Sequence, residues 1–208
     1  MNPPMHAAVS PGPKPLLLIL SGLSGAGKDS VLGELRASRY PLEFIVTVTT
    51  RARRPEEKDG IHYRFVTGED FQWLVDHGEL LEWAKVYGNW YGVPREPVKK
   101  ALDMGKDVII KVDVQGAATI KKKLPQAVFI FLATPSPEEL SQRLKQRRTE
   151  TPAELDLRLK TAREELGKLP MFDYLVINRQ GETGRAVADI EAIIAAEKCR
   201  VAPRELVL

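Results

Sequence analysis

Residues 21–30 read SGLSGAGKDS and lie between the apolar run LLLIL at 16–20 and the segment VLGELRAS at 31–38. An apolar strand that enters a glycine-rich turn and then a helix directs several backbone N–H groups at one point, and the helix dipole adds to that positive field. The spacing matches the phosphate-binding pattern G-x-x-x-x-G-K-[ST], except that Asp29 occupies the hydroxyl position. The segment therefore predicts a strand–loop–helix unit that binds phosphate.

Three more continuous apolar runs follow along the chain: VIIKV at 108–112, AVFIFLA at 127–133 and YLVIN at 174–178. Runs without polar alternation are typical of strands covered on both faces, as in a parallel sheet whose crossovers are helices. Together with the run at 16–20 they predict an α/β fold, with a parallel-sheet core flanked by helices.

Two stretches depart from this pattern. Residues 47–97 alternate polar and apolar side chains and contain the hairpin-turn signal Gly88-Asn89, which predicts a small inserted mixed or antiparallel sheet. Residues 135–166 contain two helix starts, Ser136-Pro137-Glu138-Glu139 and Thr151-Pro152-Ala153-Glu154. Each start has an N-cap residue, a proline at the first helical position and a glutamate that can close a capping box. The second stretch is therefore predicted to form two helices.

Composition excludes several classes of protein. The net charge is only +3, and the basic runs RARR at 51–54 and IKKK at 120–123 lack the stacking aromatics of a nucleic-acid surface, so we expect no nucleic-acid partner. No apolar run approaches the roughly 20 residues of a membrane span, so we expect no membrane partner. The single cysteine, Cys199, excludes an internal disulfide and fits a reducing, cytoplasmic location. Residues 1–14 are rich in proline, glycine and alanine and are expected to form a disordered lead-in.

Several segments together resemble guanylate kinases in order and spacing, over the chain from about Pro15 to Lys198. They are TVTTRARRP (47–55), DGIHYRFV (59–66), LLEWAKVYGNWYGVP (80–94), VDVQGA (112–117), RLKQRRTET (143–151) and YLVIN (174–178). Because these motifs are independent, their joint occurrence is far more specific than any one of them.

The resemblance implies a P-loop nucleoside monophosphate kinase. Its core would comprise 15–46, 98–134 and 167–198, with a GMP-binding region at 47–97, a helical lid at 135–166 and a C-terminal tail at 199–208. The implied reaction transfers the γ-phosphoryl group of ATP to GMP, and to dGMP, giving ADP and GDP with Mg²⁺, in purine nucleotide metabolism and GMP recycling. The implied partners are these nucleotides, and the protein is expected to be a monomer or a homodimer.

The resemblance also assigns residues to the donor nucleotide and to catalysis. The expected ATP-binding residues are Gly22, Leu23, Ser24, Gly25, Ala26, Gly27, Lys28, Asp29 and Ser30 of the loop, with Asn178 near the adenine. The expected catalytic residues are Lys28, Arg51, Arg143, Arg147 and Arg158. Phosphoryl transfer rewards positioning and charge neutralisation more than covalent chemistry, which is what a lysine and closing arginines supply.

For the acceptor, the implied GMP-binding residues are Thr47, Arg51, Arg54, Tyr63, Glu82, Tyr91 and Asp113. Guanine presents N1–H and an exocyclic amine as donors, and the carboxylate of Glu82 can accept from both. The hydroxyl of Thr47 can donate to the guanine O6. Arg51 and Arg54 offer planar, bidentate donors for the acceptor phosphate.

Three positions at the expected site depart from the family pattern, and Arg179 also stands where an acid is common. Val93 stands where relatives usually carry a hydroxyl that contacts the base, and Lys111 stands where they often carry an acid. The third is Asp29, and Lys111 is expected to offset its added charge. Asp29 and Asp113 are the tentative metal ligands, but a carboxylate at position 29 is equally favourable as a helix N-terminal charge, so both readings of Asp29 stay open.

Two other functions remain open from the sequence. Another nucleoside monophosphate kinase would share the core, although Glu82, Thr47 and the tyrosines argue for guanine. A guanylate-kinase-like binding module without catalysis would share the fold, although such modules typically lack a working phosphate loop and lid arginines.

Overall fold

A parallel sheet forms the centre of the computed structural model, which describes residues 14–86, 88–146, 152–206 and 208. Along the chain the elements are β1 (Leu17–Gly22), α1 (Lys28–Ala37), β2 (Leu42–Ile45), β3 (Val48–Thr49), β4 (Arg64–Phe65), α2 (Gly68–Asp76), β5 (Leu80–Val86), β6 (Asn89–Pro94), α3 (Arg95–Asp103), β7 (Asp107–Lys111), α4 (Val114–Lys123), β8 (Val128–Ala133), α5 (Pro137–Gln146), α6 (Pro152–Leu166), a 3₁₀ turn (Leu169–Met171), β9 (Tyr174–Ile177) and α7 (Thr183–Lys198). Within these residues the central sheet has the order β2-β7-β1-β8-β9, with every neighbouring pair parallel.

Burial on both faces explains the apolar strands that the sequence predicts. Successive side chains of a strand point to opposite faces. Accordingly, Leu18 and Leu20 of β1 pack into the cluster that contains α1, α5 and α7, whereas Leu17 and Ile19 pack with α3 and α4. All four side chains are fully buried. The predicted α/β core is therefore confirmed.

A second sheet, with the order β4-β3-β6-β5, is inserted between β2 and α3. It is mixed, because β3 pairs parallel with β4 and antiparallel with β6. The β5–β6 hairpin forms where the sequence predicts one, but Asn89 pairs with Val86, so the turn lies at 87–88 and not at 88–89. Tyr87 lies outside the described residues.

Helix α2 is an element of this region that the alternating pattern does not predict. Thr67 and Asp70 form a reciprocal capping box at its N-terminus. Its Phe71 packs with Val48 and Leu80 to make a small core of its own under the second sheet. The inserted region is thus a sheet with a helix packed on one face.

The two predicted helices after β8 are present as α5 and α6. Helix α5 begins at Pro137 as predicted, and the Ser136 hydroxyl accepts from the backbone N–H of Glu139 at 3.3 Å. The Glu139 carboxylate, which is predicted to close the capping box, accepts from Arg143 and from the backbone N–H of Gln180. The N-cap predicted at residue 151 lies outside the described residues, and α6 begins at Pro152.

The C-terminal tail packs on the core, a contact for which the sequence offers no signal. The guanidinium of Arg204 donates two hydrogen bonds of 2.8 Å to the carboxylate of Glu197, whose side chain is fully buried. Arg204 also donates to the carbonyl of Ala127 at 3.2 Å. Leu206 and Leu208 pack beside the same cluster as α3 and α4. In the described part of the chain, no helix combines the length and apolar character needed to cross a bilayer.

Replacing Arg204 by methionine is expected to lower the free energy of unfolding by about 3 kcal/mol, because the buried Glu197 carboxylate loses its bidentate partner. Arg200 offers a matched control, since it approaches Glu197 only to 3.6 Å and its side chain is 48% exposed. Arg200→Met is expected to cost less than about 1 kcal/mol. Urea unfolding of the three proteins measures both values, and equal losses in the two variants would contradict the assignment.

Candidate active site

One cavity opens between the carboxyl edge of the parallel sheet and the second sheet. Ligands of open α/β sheets bind at this edge. Its lining comes from the loop after β1, the end of β7, both strands of the β5–β6 hairpin, the β3–β4 connection and α6. The lining residues are Ser24, Gly25, Gly27, Lys28, Asp29, Thr47, Arg51, Arg54, Glu57, Tyr63, Glu82, Ala84, Val86, Tyr91, Gly92, Val93, Lys111, Val112, Asp113 and Arg158.

The loop after β1 has the backbone that a phosphate cradle requires. Gly27 is the N-cap of α1 with φ of 91°, and Gly22 has φ of 130°. A Cβ at position 22 would lie 2.0 Å from the carbonyl oxygen of Leu132, so only glycine fits there. Leu23 and Ala26 are buried in the loop, and Ser30 is exposed on the first turn of α1.

Lys28 folds back over this loop. Its ammonium donates to the carbonyls of Gly22 at 2.7 Å and Leu23 at 3.0 Å. Burial lowers the pKa of Lys28, and the carboxylates of Glu165 and Asp29 oppose that shift. The ammonium is therefore held within the loop, next to the backbone groups that would meet a phosphate.

Arg143 and Asn178 hold the loop through hydrogen bonds to its backbone. The Asn178 amide and the Arg143 guanidinium both donate to the carbonyl of Ala26, at 2.8 and 3.1 Å. Arg143 also donates to Glu139 at 2.5 Å and to the backbone carbonyl of Asn178 at 2.7 Å. In this structure the two residues expected at ATP thus hold the loop. Arg158 of α6 lines the cavity, and Arg147 lies outside the described residues.

Glu82 is a carboxyl group buried at the far side of the cavity. Its residue is 3% exposed, and burial, reinforced by the charge of Asp113, raises its pKa to about 8. Val93 lies directly across the hairpin from Glu82 and is fully buried. Thr47 is 5% exposed and lines the same cavity. The cavity therefore holds one buried acid and one hydroxyl where the resemblance expects the base.

The first turn of α4 packs against the carboxyl group of Glu82. Asp113 is the N-cap of this helix, and its carboxylate accepts from the backbone N–H of Gly116 at 2.7 Å. A Cβ at position 116 would lie 2.7 Å and 2.9 Å from the two oxygens of Glu82. Asp113 thus has a capping role, and burial raises its pKa, although it also lines the cavity. The position of the Glu82 carboxyl depends on a glycine at 116.

A second group of side chains collects around Arg51 in the β3–β4 connection. The guanidinium of Arg51 lies 2.6 Å from the Glu57 carboxylate, whose second oxygen accepts from the backbone N–H of Arg54. Its central carbon lies 5.6 Å from the ring centre of Tyr63. The rings of Tyr63 and Tyr91 meet edge to face at 5.9 Å. The four residues predicted at the acceptor phosphate are therefore brought together.

Asp29 and Lys111 form an ion pair across the cavity edge. The Lys111 ammonium lies 2.5 Å from Oδ1 of Asp29 and 4.1 Å from the ring centre of Tyr63. Burial disfavours the charge of Lys111, but Asp29 and Tyr63 more than offset it, so its pKa lies above the ordinary value. The expected charge compensation between positions 29 and 111 is therefore a direct contact.

The acids of the cavity suit a metal that phosphate groups help to hold. No cluster of three or more histidine, cysteine or acidic side chains that could hold a metal ion occurs among the residues that the structure describes. Mg²⁺ usually binds through one or two carboxylates plus substrate phosphates. Asp29 and Asp113, which both line the cavity, fit that donor set.

Sequence reasoning missed three residues of this site. Glu57 anchors Arg51, Glu165 accepts from the backbone N–H of Ser24 at 2.9 Å, and Gly116 supports Glu82. Glu57 follows the predicted arginines within a charged loop, where it reads as a solvated acid. The Ser24–Glu165 contact joins residues 141 positions apart, so no local signal could reveal it.

Comparison with known proteins identifies guanylate kinases among the chains similar to this one. The family model for guanylate kinase matches residues 14–197. The chain is 45% identical over 197 residues to "Guanylate kinase 2, chloroplastic/mitochondrial" of Oryza sativa subsp. japonica, covering 94% of this chain and 69% of that protein. It is also 45% identical over 186 residues to a guanylate kinase of Desulfitobacterium hafniense (strain Y51), covering 89% and 92%. The crystal structure of guanylate kinase from Anaplasma phagocytophilum superposes with a TM-score of 0.76 at 32% identity, covering 91% of this chain and 89% of that one.

The raised pKa of Glu82 leads to a prediction about stability. Between the ordinary pKa of 4.5 and about 8, the folded protein keeps a proton that the unfolded chain releases, so the free energy of unfolding falls as pH rises. Glu82→Gln cannot ionise. Its free energy of unfolding, relative to the unmodified protein, is expected to rise by about 2 kcal/mol between about pH 6 and about pH 8. Denaturant unfolding at both pH values measures this, and a pH-independent difference would contradict it.

Proposed function

The chain belongs to the guanylate kinase family, and we propose that it transfers the γ-phosphoryl group of ATP to GMP, forming ADP and GDP. One observation carries this proposal: a single cavity contains both the glycine-rich loop with Lys28 and the buried carboxyl of Glu82. The loop offers backbone donors and a cation for a nucleoside triphosphate. The buried carboxyl of Glu82 offers a hydrogen-bonding group for the edge of a nucleotide base.

Glu82 is proposed to select guanine. The N1–H and the exocyclic amine of guanine both donate, so guanine binding would favour the ionised form of Glu82, which accepts from both, and Thr47 can donate to O6. Adenine presents an acceptor at N1 and has no amine at C2, so it cannot supply the two donors that the ionised Glu82 accepts, which favours guanine. Val93 adds an apolar wall beside Glu82, so the base depends on one carboxylate and one hydroxyl for its polar contacts.

The acceptor phosphate is proposed to bind Arg51, Arg54, Tyr63 and Tyr91. The contact between Arg51 and Glu57 keeps the guanidinium at the cavity wall before the nucleotide arrives, which reduces the ordering that binding requires. The tyrosine hydroxyls add neutral donors. Together they would fix the acceptor phosphate between the second sheet and the loop.

Transfer itself is proposed to need positioning and charge, with no general base, because the attacking phosphate oxygen is already anionic. Lys28 and Arg158 line the cavity and would neutralise charge on the transferred group. Arg143 holds the loop in the described structure, and with Arg147 it belongs to the proposed lid at 135–166. When bound with the nucleotide, Mg²⁺ would neutralise charge on the phosphate oxygens, with Asp29 and Asp113 as the residues available to hold it.

Two further parts of the proposal concern which nucleotides accept the phosphoryl group and where in the cell the protein acts. The deoxy form dGMP is expected to be an acceptor, because the proposed contacts address the base and the phosphate. A cytoplasmic location is supported by the single cysteine, Cys199, which is free and exposed.

A coupled assay of ADP formation tests the reaction. With ATP and Mg²⁺, we expect turnover with GMP and dGMP, at least about 100-fold lower kcat/KM with AMP, UMP or CMP, and loss of turnover when Mg²⁺ is chelated. Strong turnover of AMP or UMP without GMP would assign another nucleoside monophosphate kinase. Binding of GMP without ADP formation would indicate a non-catalytic module.

Gly116→Ala tests the proposed role of Glu82 without changing the acid itself. The added Cβ would force the Glu82 carboxyl to shift, so KM for GMP is expected to rise roughly tenfold, while KM for ATP changes less than about twofold. Gly33→Ala in α1 is the control, because a Cβ there meets nothing within 4 Å. Steady-state kinetics of both variants decide the point, and an equal rise in both KM values would contradict it.

A further inference from the structure

We propose that Lys111 is a direct ligand of the acceptor phosphate, with Asp29 competing for its ammonium in the absence of the nucleotide. This inference rests on the proposed function, because it assumes that GMP occupies the cavity. It assigns a phosphate contact to the position where the resemblance leads one to expect an acid.

The location of Lys111 is the first support. It is the last residue of β7, and its side chain is only 11% exposed, although it carries a charge. It lines the same cavity as Lys28 and Arg51. A lysine on a central strand normally extends its charge into water. Here the buried chain brings the ammonium to the junction between the phosphate loop and the second sheet.

The surroundings of Tyr63 are the second support. The Lys111 ammonium lies 4.1 Å from the centre of this ring, and the guanidinium carbon of Arg51 lies 5.6 Å from it. One cation from β7 and one from the β3–β4 connection therefore lie within 6 Å of the centre of the same tyrosine ring. Each of them already has one carboxylate partner, Glu57 or Asp29, and a phosphate in the cavity would add a second anion within reach of both.

The partner of Lys111 explains how the charge is held before the nucleotide binds. Asp29 stands in the first turn of α1, and its side chain is 62% exposed, whereas that of Lys111 is only 11% exposed. An ammonium group has three N–H donors, and Asp29 and the Tyr63 side chain together do not use them all. A phosphate dianion can therefore bind the ammonium beside Asp29 or take its place. Because the carboxylate is exposed, it can be solvated when the phosphate takes the ammonium.

Binding measurements without ATP or metal separate this role from a general effect on the fold. GMP and guanosine share the base and the ribose, and only GMP carries the phosphate. Lys111→Met is expected to weaken GMP binding by about tenfold or more and to change guanosine binding by less than about twofold, in isothermal titration calorimetry. Asp29→Asn removes the competing carboxylate and is expected to tighten GMP binding about threefold, because Lys111 keeps its charge.

Lys106→Met is the matched control, since Lys106 precedes the same strand and pairs with Glu43 at 2.9 Å on the protein surface. It is expected to leave both affinities unchanged. Equal weakening of GMP and guanosine in Lys111→Met would overturn the inference, as would weaker GMP binding in Asp29→Asn. Failure of the unmodified protein to bind either probe would instead reject the proposed function.

Discussion

The close approach of β1 to β8 at Gly22 is the constraint on which the site depends. A side chain there would collide with the backbone of Leu132, so the chain must leave the sheet with the backbone that the phosphate loop needs. The loop is then held at the carbonyl of Ala26 by Arg143 and Asn178. These anchors come from α5 and from the residue after β9, so the packing of β8, α5 and β9 sets the direction of the loop N–H groups. A preorganised loop meets a phosphate without further ordering of its backbone.

The cavity holds several ionisable groups whose charges are not balanced within the protein. Burial raises the pKa values of Glu82 and Asp113 and lowers that of Lys28, which means that each group lies where its charged form is disfavoured. Such an arrangement costs stability in the absence of ligand, and functional sites commonly carry this cost. A guanine edge offers donors to the acid, and phosphates offer charge to the cations. The proposed nucleotide would compensate both kinds of group, which gives a physical reason for their association in one cavity.

Much of the fold could be predicted because its signals are local. The apolar runs, the helix start at Pro137 and the β5–β6 hairpin each depend on neighbours in the sequence. Helix α2 carried a readable signal as well, since Thr67 and Asp70 are three residues apart and form its capping box. The candidate site was less predictable. Arg143 is still proposed to act at the nucleotide. Its contact with the Ala26 carbonyl in this structure spans 117 positions, so no local pattern could reveal it.

The sequence by itself determined the chain's family, the strand–loop–helix unit and the residue types available to bind a nucleotide, because periodicity and motif spacing act over a few residues. Tertiary structure decided how those residues are charged and what they contact. The ion pair between Asp29 and Lys111 joins positions 82 apart, and the pKa of Glu82 depends on burial against α4. Electrostatic free energies vary with the distance between charges and with their desolvation, and packing of the sheets and helices fixes both.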